Sequence, residues 1–135
     1  MKNTLRSIYK LNYDTLNSNS GLPKWYNMLI DKPLDKITIY DVSKMIRQNI
    51  QLDFAVDKSI EFLVNDPFAG EMLDGDLLST LASVISKADL KRNNNYNSLA
   101  SVIHTAKESI DCFEWGDEKS KLDFIRTLSK VNSLL

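Results

Sequence analysis

Side chains capable of acid–base or nucleophilic chemistry are few and scattered here. His104 is the single histidine and Cys112 the single cysteine, so neither a multi-histidine centre nor a Cys/His zinc cluster can be assembled. His104 falls at the border of an apolar helical face beside Ile103, where a structural role is the plainer reading. Cys112 has no basic neighbour in sequence to hold a thiolate and reads as a small, buried hydrophobe. No nucleophile elbow supports a serine triad, and the four glycines make no phosphate-cradling loop. Asp74-Gly75-Asp76 invites calcium but lacks the alternating oxygen ligands and closing Glu of an EF-hand. The better reading is a turn permitted by Gly75, with Asp74 or Asp76 capping a helix that begins near Leu77. The chain is expected to be no enzyme and to need no metal or cofactor.

One charge feature departs from background. Between Gln51 and Asp76 stand seven acids, Asp53, Asp57, Glu61, Asp66, Glu71, Asp74 and Asp76, against a single base, Lys58. The net charge of the whole chain is only −1, so the remainder is net basic. Asp53, Asp57 and Glu61 recur every four residues and line one face if the segment is helical, with Phe54 projecting beside them. An exposed aromatic among carboxylates has the composition of a docking patch for a basic protein. Asp53, Phe54, Asp57, Glu61, Asp66, Glu71 and Asp74 are therefore the candidate partner-binding residues. The alternative is a solvated helix face with its aromatic tucked under a loop.

Helical periodicity supplies the elements that must position these groups. Ile39, Val42, Met45 and Ile46 share one face, and Thr38 with Asp41 makes a shortened capping box. Leu52, Ala55, Val56, Ile60 and Leu63 form a core-facing stripe that Asp66-Pro67 ends. Leu77, Leu78, Leu81, Ile85 and Ala88 form a third stripe, with Lys87 in its last turn. After the polar break Lys91-Arg92-Asn93-Asn94-Asn95, a fourth runs through Tyr96, Leu99, Ala100, Ile103, Ala106 and Ile110. Gly116-Asp117 separates it from a last helix holding Leu122, Ile125 and Leu128. Leu5, Ile8, Tyr9 and Leu16 suggest an N-terminal helix. Pro23 suits the first position of a short helical turn carrying Trp25, Met28 and Leu29. Ile37-Thr38-Ile39-Tyr40 could read as a strand, but the capping pattern opposes it. The expectation is an all-α, single-domain bundle of about five to seven amphipathic helices over residues 1–135, with 1–20 as a loosely attached helix and linker. Its core is expected to hold Trp25, Ile46, Val56, Ile60, Leu63, Leu78, Leu81, Ile85, Leu99, Ile103, Leu122 and Ile125.

At 135 residues, 43% apolar and 26% charged, the chain has the length and composition of one folded domain. Near-neutral charge argues against strong attachment to nucleic acid or an anionic membrane. Lys87, Lys91, Arg92 and Lys107 approach a basic face, but Asp89 and Glu108 dilute it. A lone cysteine suits a reducing compartment. The N-terminus lacks a signal-like apolar core, and no run approaches the roughly 20 apolar residues that span a bilayer. A cytoplasmic location is expected.

From Trp25 to Leu81 the sequence resembles the immunity proteins of bacterial contact-dependent growth-inhibition systems. The resemblance rests on Trp25-Tyr26, Lys32-Pro33-Leu34, Asp41, Arg47-Gln48, Leu52, Asp66-Pro67-Phe68-Ala69-Gly70-Glu71 and Asp74-Gly75-Asp76-Leu77-Leu78. Asp57 stands where that pattern favours proline and Leu73 where it favours an aromatic. A helix starting only near Asp57 would leave Asp53 and Phe54 in a preceding turn. The resemblance implies a monomeric cytoplasmic protein that binds the C-terminal toxin domain of a cognate effector, a nuclease, and blocks its active site or substrate access. An acidic surface would complement the basic cleft such an enzyme needs. The resemblance also leaves room for Trp25, Pro33, Pro67 and Gly75 to be scaffold. A small helical nucleic-acid-binding regulator is the alternative function.

Overall fold

The computed structural model describes residues 3–15, 21–85 and 90–135. It is all-α: seven α-helices stand among the described residues, and the one extended pairing there is a single bridge between Thr4 and Pro33. Leu16, Lys87 and Ala88 lie outside the described residues. Backbone packing divides the chain into two compact units, residues 1–41 and 42–135.

The first unit holds α1 (Leu5–Tyr9), α2 (Gly21–Ile30), a 3-10 turn (Leu34–Lys36) and the start of α3 (Ile39–Arg47). Thr4 caps α1 by accepting the Ser7 amide at 3.1 Å, and Lys10, left-handed at φ 54°, ends it. Only Leu5 of α1 is buried; Ile8 and Tyr9 are exposed. The described part of the N-terminal stretch makes several hydrogen bonds within this unit. Asn3 accepts the Leu34 amide, Arg6 pairs with Asp31 at 2.6 Å, and Asn27 and Asp14 exchange two hydrogen bonds. Pro23 is the third residue of α2 rather than the first of a short turn, and Met28 is exposed while Leu29 and Ile30 are buried. The region expected to be helical rather than strand after Ile37 is so: Thr38 Oγ1 accepts the Asp41 amide and Asp41 Oδ2 accepts the Thr38 amide, at 3.1 and 3.0 Å.

In the second unit, α4 (Leu52–Asn65) packs on α6 (Asn95–Ser109), and α5 (Asp76–Ala82) packs on α7 (Glu118–Leu134). Ala55, Val56, Ile60 and Leu63 of α4, Leu77, Leu78 and Leu81 of α5 and Leu99, Val102, Ile103 and Ala106 of α6 are buried. The α4 and α5 stripes follow the expected spacing apart from the half-buried Leu52, whereas on α6 Val102 joins Leu99, Ile103 and Ala106 in the core, and Ala100 and Ile110 are only half-buried.

Three members of the expected core, and Cys112, are not buried, for identifiable reasons. Leu122 and Ile125 are 46% and 40% exposed, while Phe124, Leu128 and Val131 are buried. The last helix carries two overlapping apolar stripes, and the Phe124 ring, packed against aromatic neighbours, chooses between them. Trp25 is half-buried, because its indole reaches a carboxylate rather than an apolar interior. Cys112 is exposed, since it lies in the turn after α6 rather than on a helix face. Tyr96 and His104 are also exposed; Tyr96 donates its hydroxyl to the Leu135 carbonyl at 2.6 Å, and His104 Nε2 lies 2.5 Å from Glu108.

Candidate partner-binding surface

The loop joining α4 to α5 carries much of the sequence motif, and most of its polar groups turn inward. Asp66 ends α4 and its Oδ1 accepts the Phe68 amide at 3.0 Å, an Asx turn that starts the loop. Phe68 is buried at the hub of an aromatic cluster. Its ring centroid lies 4.3 Å from Phe113, 5.5 Å from Trp115 and 5.2 Å from Phe124. Glu71 takes a two-pronged pair from Arg47, at 2.9 and 3.2 Å, and keeps only 10% of its side chain exposed. Asp74 accepts the Gly116 amide at 2.9 Å.

Neither Asp74 nor Asp76 caps α5, contrary to expectation. The cap position is Gly75, in the left-handed region at φ 76°, and it makes no side-chain cap bond. The Asp76 carboxylate instead folds back and accepts the amides of Glu71, Met72 and Leu73 at 2.6, 3.1 and 2.9 Å. A Cβ on Gly70 would stand 1.9 Å from the Leu73 carbonyl oxygen, and one on Gly75 would stand 2.5 Å from the Phe124 ring. The loop's curvature therefore depends on both glycines.

The motif's first half converges in the same way within the N-terminal unit. Asp41 is 2% exposed and receives Lys32 Nζ at 2.7 Å, Trp25 Nε1 at 3.2 Å and the Thr38 amide at 3.0 Å. Burial pushes its carboxyl up, but Lys32, Thr38 and Trp25 together outweigh that and hold it below the usual carboxylate range.

The face of α4 behaves differently. Helix α4 begins at Leu52, so Asp53, Asp57 and Glu61 do share one helix at four-residue spacing. Asp53 and Glu61 are exposed. Lys58 reaches Glu61 at 3.2 Å, yet 63% of the Glu61 side chain stays open. Asp57 is half-buried: Asn95 and Asn93 donate side-chain amides to its two oxygens at 2.7 and 2.8 Å. Phe54 is half-buried, which corrects its reading as a bare outward aromatic.

Asp57 and Glu61 rim an open groove of about 440 Å³, with Ile60, Val64, Asn65, Asn93, Asn95 and Ser98 as its other lining residues. Of the seven candidate residues, Asp57 and Glu61 thus meet in one groove, with Asp53 a turn earlier on the same helix. Asp66, Glu71 and Asp74 belong to the loop. Asp74 lines a second recess of about 130 Å³ with Asp76, Asp123 and Phe124. Asn93 and Asn95 escaped the sequence reading, although a run of three asparagines was a usable signal. Asn93 and Asn94 are both left-handed, at φ 52° and 60°, a conformation asparagine tolerates better than most residues. That turn brings both amides onto a carboxylate 36 and 38 residues away.

Among the described residues, no group of three or more His, Cys, Asp or Glu side chains could hold a metal ion, and no helix is long and apolar enough to cross a membrane. The surface thus sets an internally paired loop beside a helix on which Asp53 and Glu61 are exposed. The family of CDI immunity proteins matches residues 7–99, which include the Asp41 network, the α4 face and the α4–α5 loop. The chain belongs to that family. No curated protein matches it. The match ends inside α6, so the second half of that helix and all of α7 lie beyond the shared region of this immunity protein.

Proposed function

We propose that this immunity protein neutralises one cognate toxin domain, the C-terminal part of a contact-delivered effector, by binding it through the acidic face and groove of α4. The observation that carries the reading is the outward disposition of Asp53 and Glu61, with Asp57 held at the groove rim by two asparagines. The partner is a nuclease whose phosphate-binding cleft is basic, and coverage of that cleft denies access to nucleic acid. Complementary charge speeds encounter, which matters for a toxin that must be caught before it acts. The protein works in the cytoplasm as a monomer, by occupancy and without turnover. The same acidic face would repel a phosphate backbone, which disfavours the nucleic-acid-binding alternative.

Co-purification with the toxin domain encoded beside it tests the reading. A dissociation constant on the order of nanomolar or below is expected for an enzyme–inhibitor interface of ordinary size, with loss of nuclease activity at one-to-one stoichiometry. Reversing Glu61 to lysine should slow association and flatten its dependence on salt. Absence of binding to the neighbouring toxin would sink the proposal.

A further inference from the structure

On the loop between α4 and α5, Phe68 turns inward while the two residues after Glu71 turn out. Met72 is 85% exposed and Leu73 56%. Nothing in the backbone is slack where they stand. Asp76 receives three successive amides across them, its own amide returns to the Leu73 carbonyl at 3.2 Å, and the Gly75 amide closes on Phe68 at 2.8 Å. Arg47 grips Glu71, the residue before Met72. Ten residues, 66–75, separate the two helices, more than a bare helix–helix connection needs. The structure therefore holds two large apolar side chains in water on a fixed frame.

We propose that Met72 and Leu73 are a preorganised anchor that seats in an apolar recess, bordered by basic residues, on the toxin domain. The inference rests on the toxin-binding reading above and adds a second contact to it, with a different energetic role. A frame ordered before binding loses little conformational freedom on association, and methionine adapts its shape to an irregular recess. Charge selects the kind of occupant. Asp66, Glu71, Asp74 and Asp76 surround the pair in sequence with no lysine or arginine among residues 66–76, and Arg47 pairs with Glu71. An anionic membrane or nucleic acid is repelled by such a rim. A two-fold contact centred on the tip would set these carboxylates against their own copies. A basic protein surface fits.

Association and dissociation of the purified toxin domain should be measured with wild type, Met72→Ala, Leu73→Ala and the conservative Met72→Leu, alongside Glu61→Lys. Each alanine variant is expected to dissociate at least about tenfold faster, as truncated anchors do, with association within about twofold of wild type and an unchanged melting temperature. Met72→Leu should restore most of the residence time. Wild type that binds tightly while both alanine variants dissociate at the wild-type rate overturns the anchor and leaves the toxin-binding reading standing. Wild type that does not bind the toxin overturns both. A wild-type dimer made monomeric by Met72→Asp, with toxin binding unaffected, would assign the tip to a second copy and overturn the proposal.

Discussion

The α4–α5 loop and the outer face of α4 are both acidic, yet their carboxylates are held differently. In the loop, Asp66, Asp74 and Asp76 accept backbone amides and Glu71 takes Arg47. On α4, Asp53 and Glu61 face solvent. The loop is the more acidic in sequence, with four acids and no base over residues 66–76 against three acids and Lys58 on α4, so acid content alone does not tell which carboxylates meet solvent. What does is local geometry: loop carboxylates lie next to amides that no helix satisfies, whereas those in a helix find its amides already bonded. Acids in a loop can therefore shape its backbone while still charging its rim, whereas acids on a regular element are left to the surface. Asp57 is intermediate, on the helix yet tied by two asparagines.

The sharpest way to break this comparison is to damage the loop. Phe68→Ala removes the ring on which Phe113, Trp115 and Phe124 converge. A loss of about 3–5 kcal/mol is expected, a large share of the roughly 5–15 kcal/mol that domains possess. Gly70→Ala should be similarly damaging, because its Cβ would meet a backbone oxygen that no side-chain rotation can move. Urea denaturation checks both. If either variant keeps wild-type stability yet fails to bind toxin, the loop is a contact surface before it is scaffold.

A smaller effect is expected at Asp41, the inward carboxylate of the other unit. Asp41→Asn keeps the shape but removes the charge that Lys32 and the Trp25 indole face. A cost of about 1–3 kcal/mol is expected, as for a buried polar group left mispaired. Linkage fixes the pH dependence. The folded-state pKa of Asp41 is depressed, so its contribution is fully present above the unfolded value, about 3.9. It is lost as pH falls through the lower folded value. The wild-type melting temperature should therefore drop more steeply below about pH 4 than that of the asparagine variant. Parallel curves would show that Asp41 adds nothing in its ionised form.

The all-α class, the buried faces of α4 and α5 and the Leu99, Ile103 and Ala106 positions of α6 were legible because an apolar stripe at helical spacing marks its face, although Val102 went unread and Tyr96 is exposed. The last helix offered two stripes: Leu122, Ile125 and Leu128, or Phe124, Leu128 and Val131. Only contacts with Phe68 and Gly75, some fifty residues earlier, select the second. The Thr38–Asp41 cap was legible, being local, but Trp25 and Lys32 converging on Asp41 was not. For the candidate surface, spacing placed Asp53, Asp57 and Glu61 on one helix. It gave no hint that Asn95 would hold Asp57 across 38 residues, or that Phe54 would be half-buried. Asp76 was legible as part of a turn and misread as a cap, because the choice between preceding and following amides depends on the glycine on either side of the loop.

The smallest expected effect is on the α4 face itself. Glu61→Lys removes the partner of Lys58, which lies three residues before it and is only 16% exposed in its side chain, a loss of about 0.5 kcal/mol for such a pair in a helix. Asp53→Lys costs slightly more, about 0.3–1 kcal/mol, because Asp53 lies in the first turn, where the helix's positive end favours an acid. The double variant should unfold within about 1.5 kcal/mol of wild type. Thermal unfolding and toxin association measured on the same preparation separate the two regions. Phe68→Ala and Gly70→Ala should lose stability first, and α4 variants should lose association rate while still folded. A double variant as unstable as Phe68→Ala would mean that the α4 carboxylates, too, hold the fold together, and the division between inward and outward acids would fail.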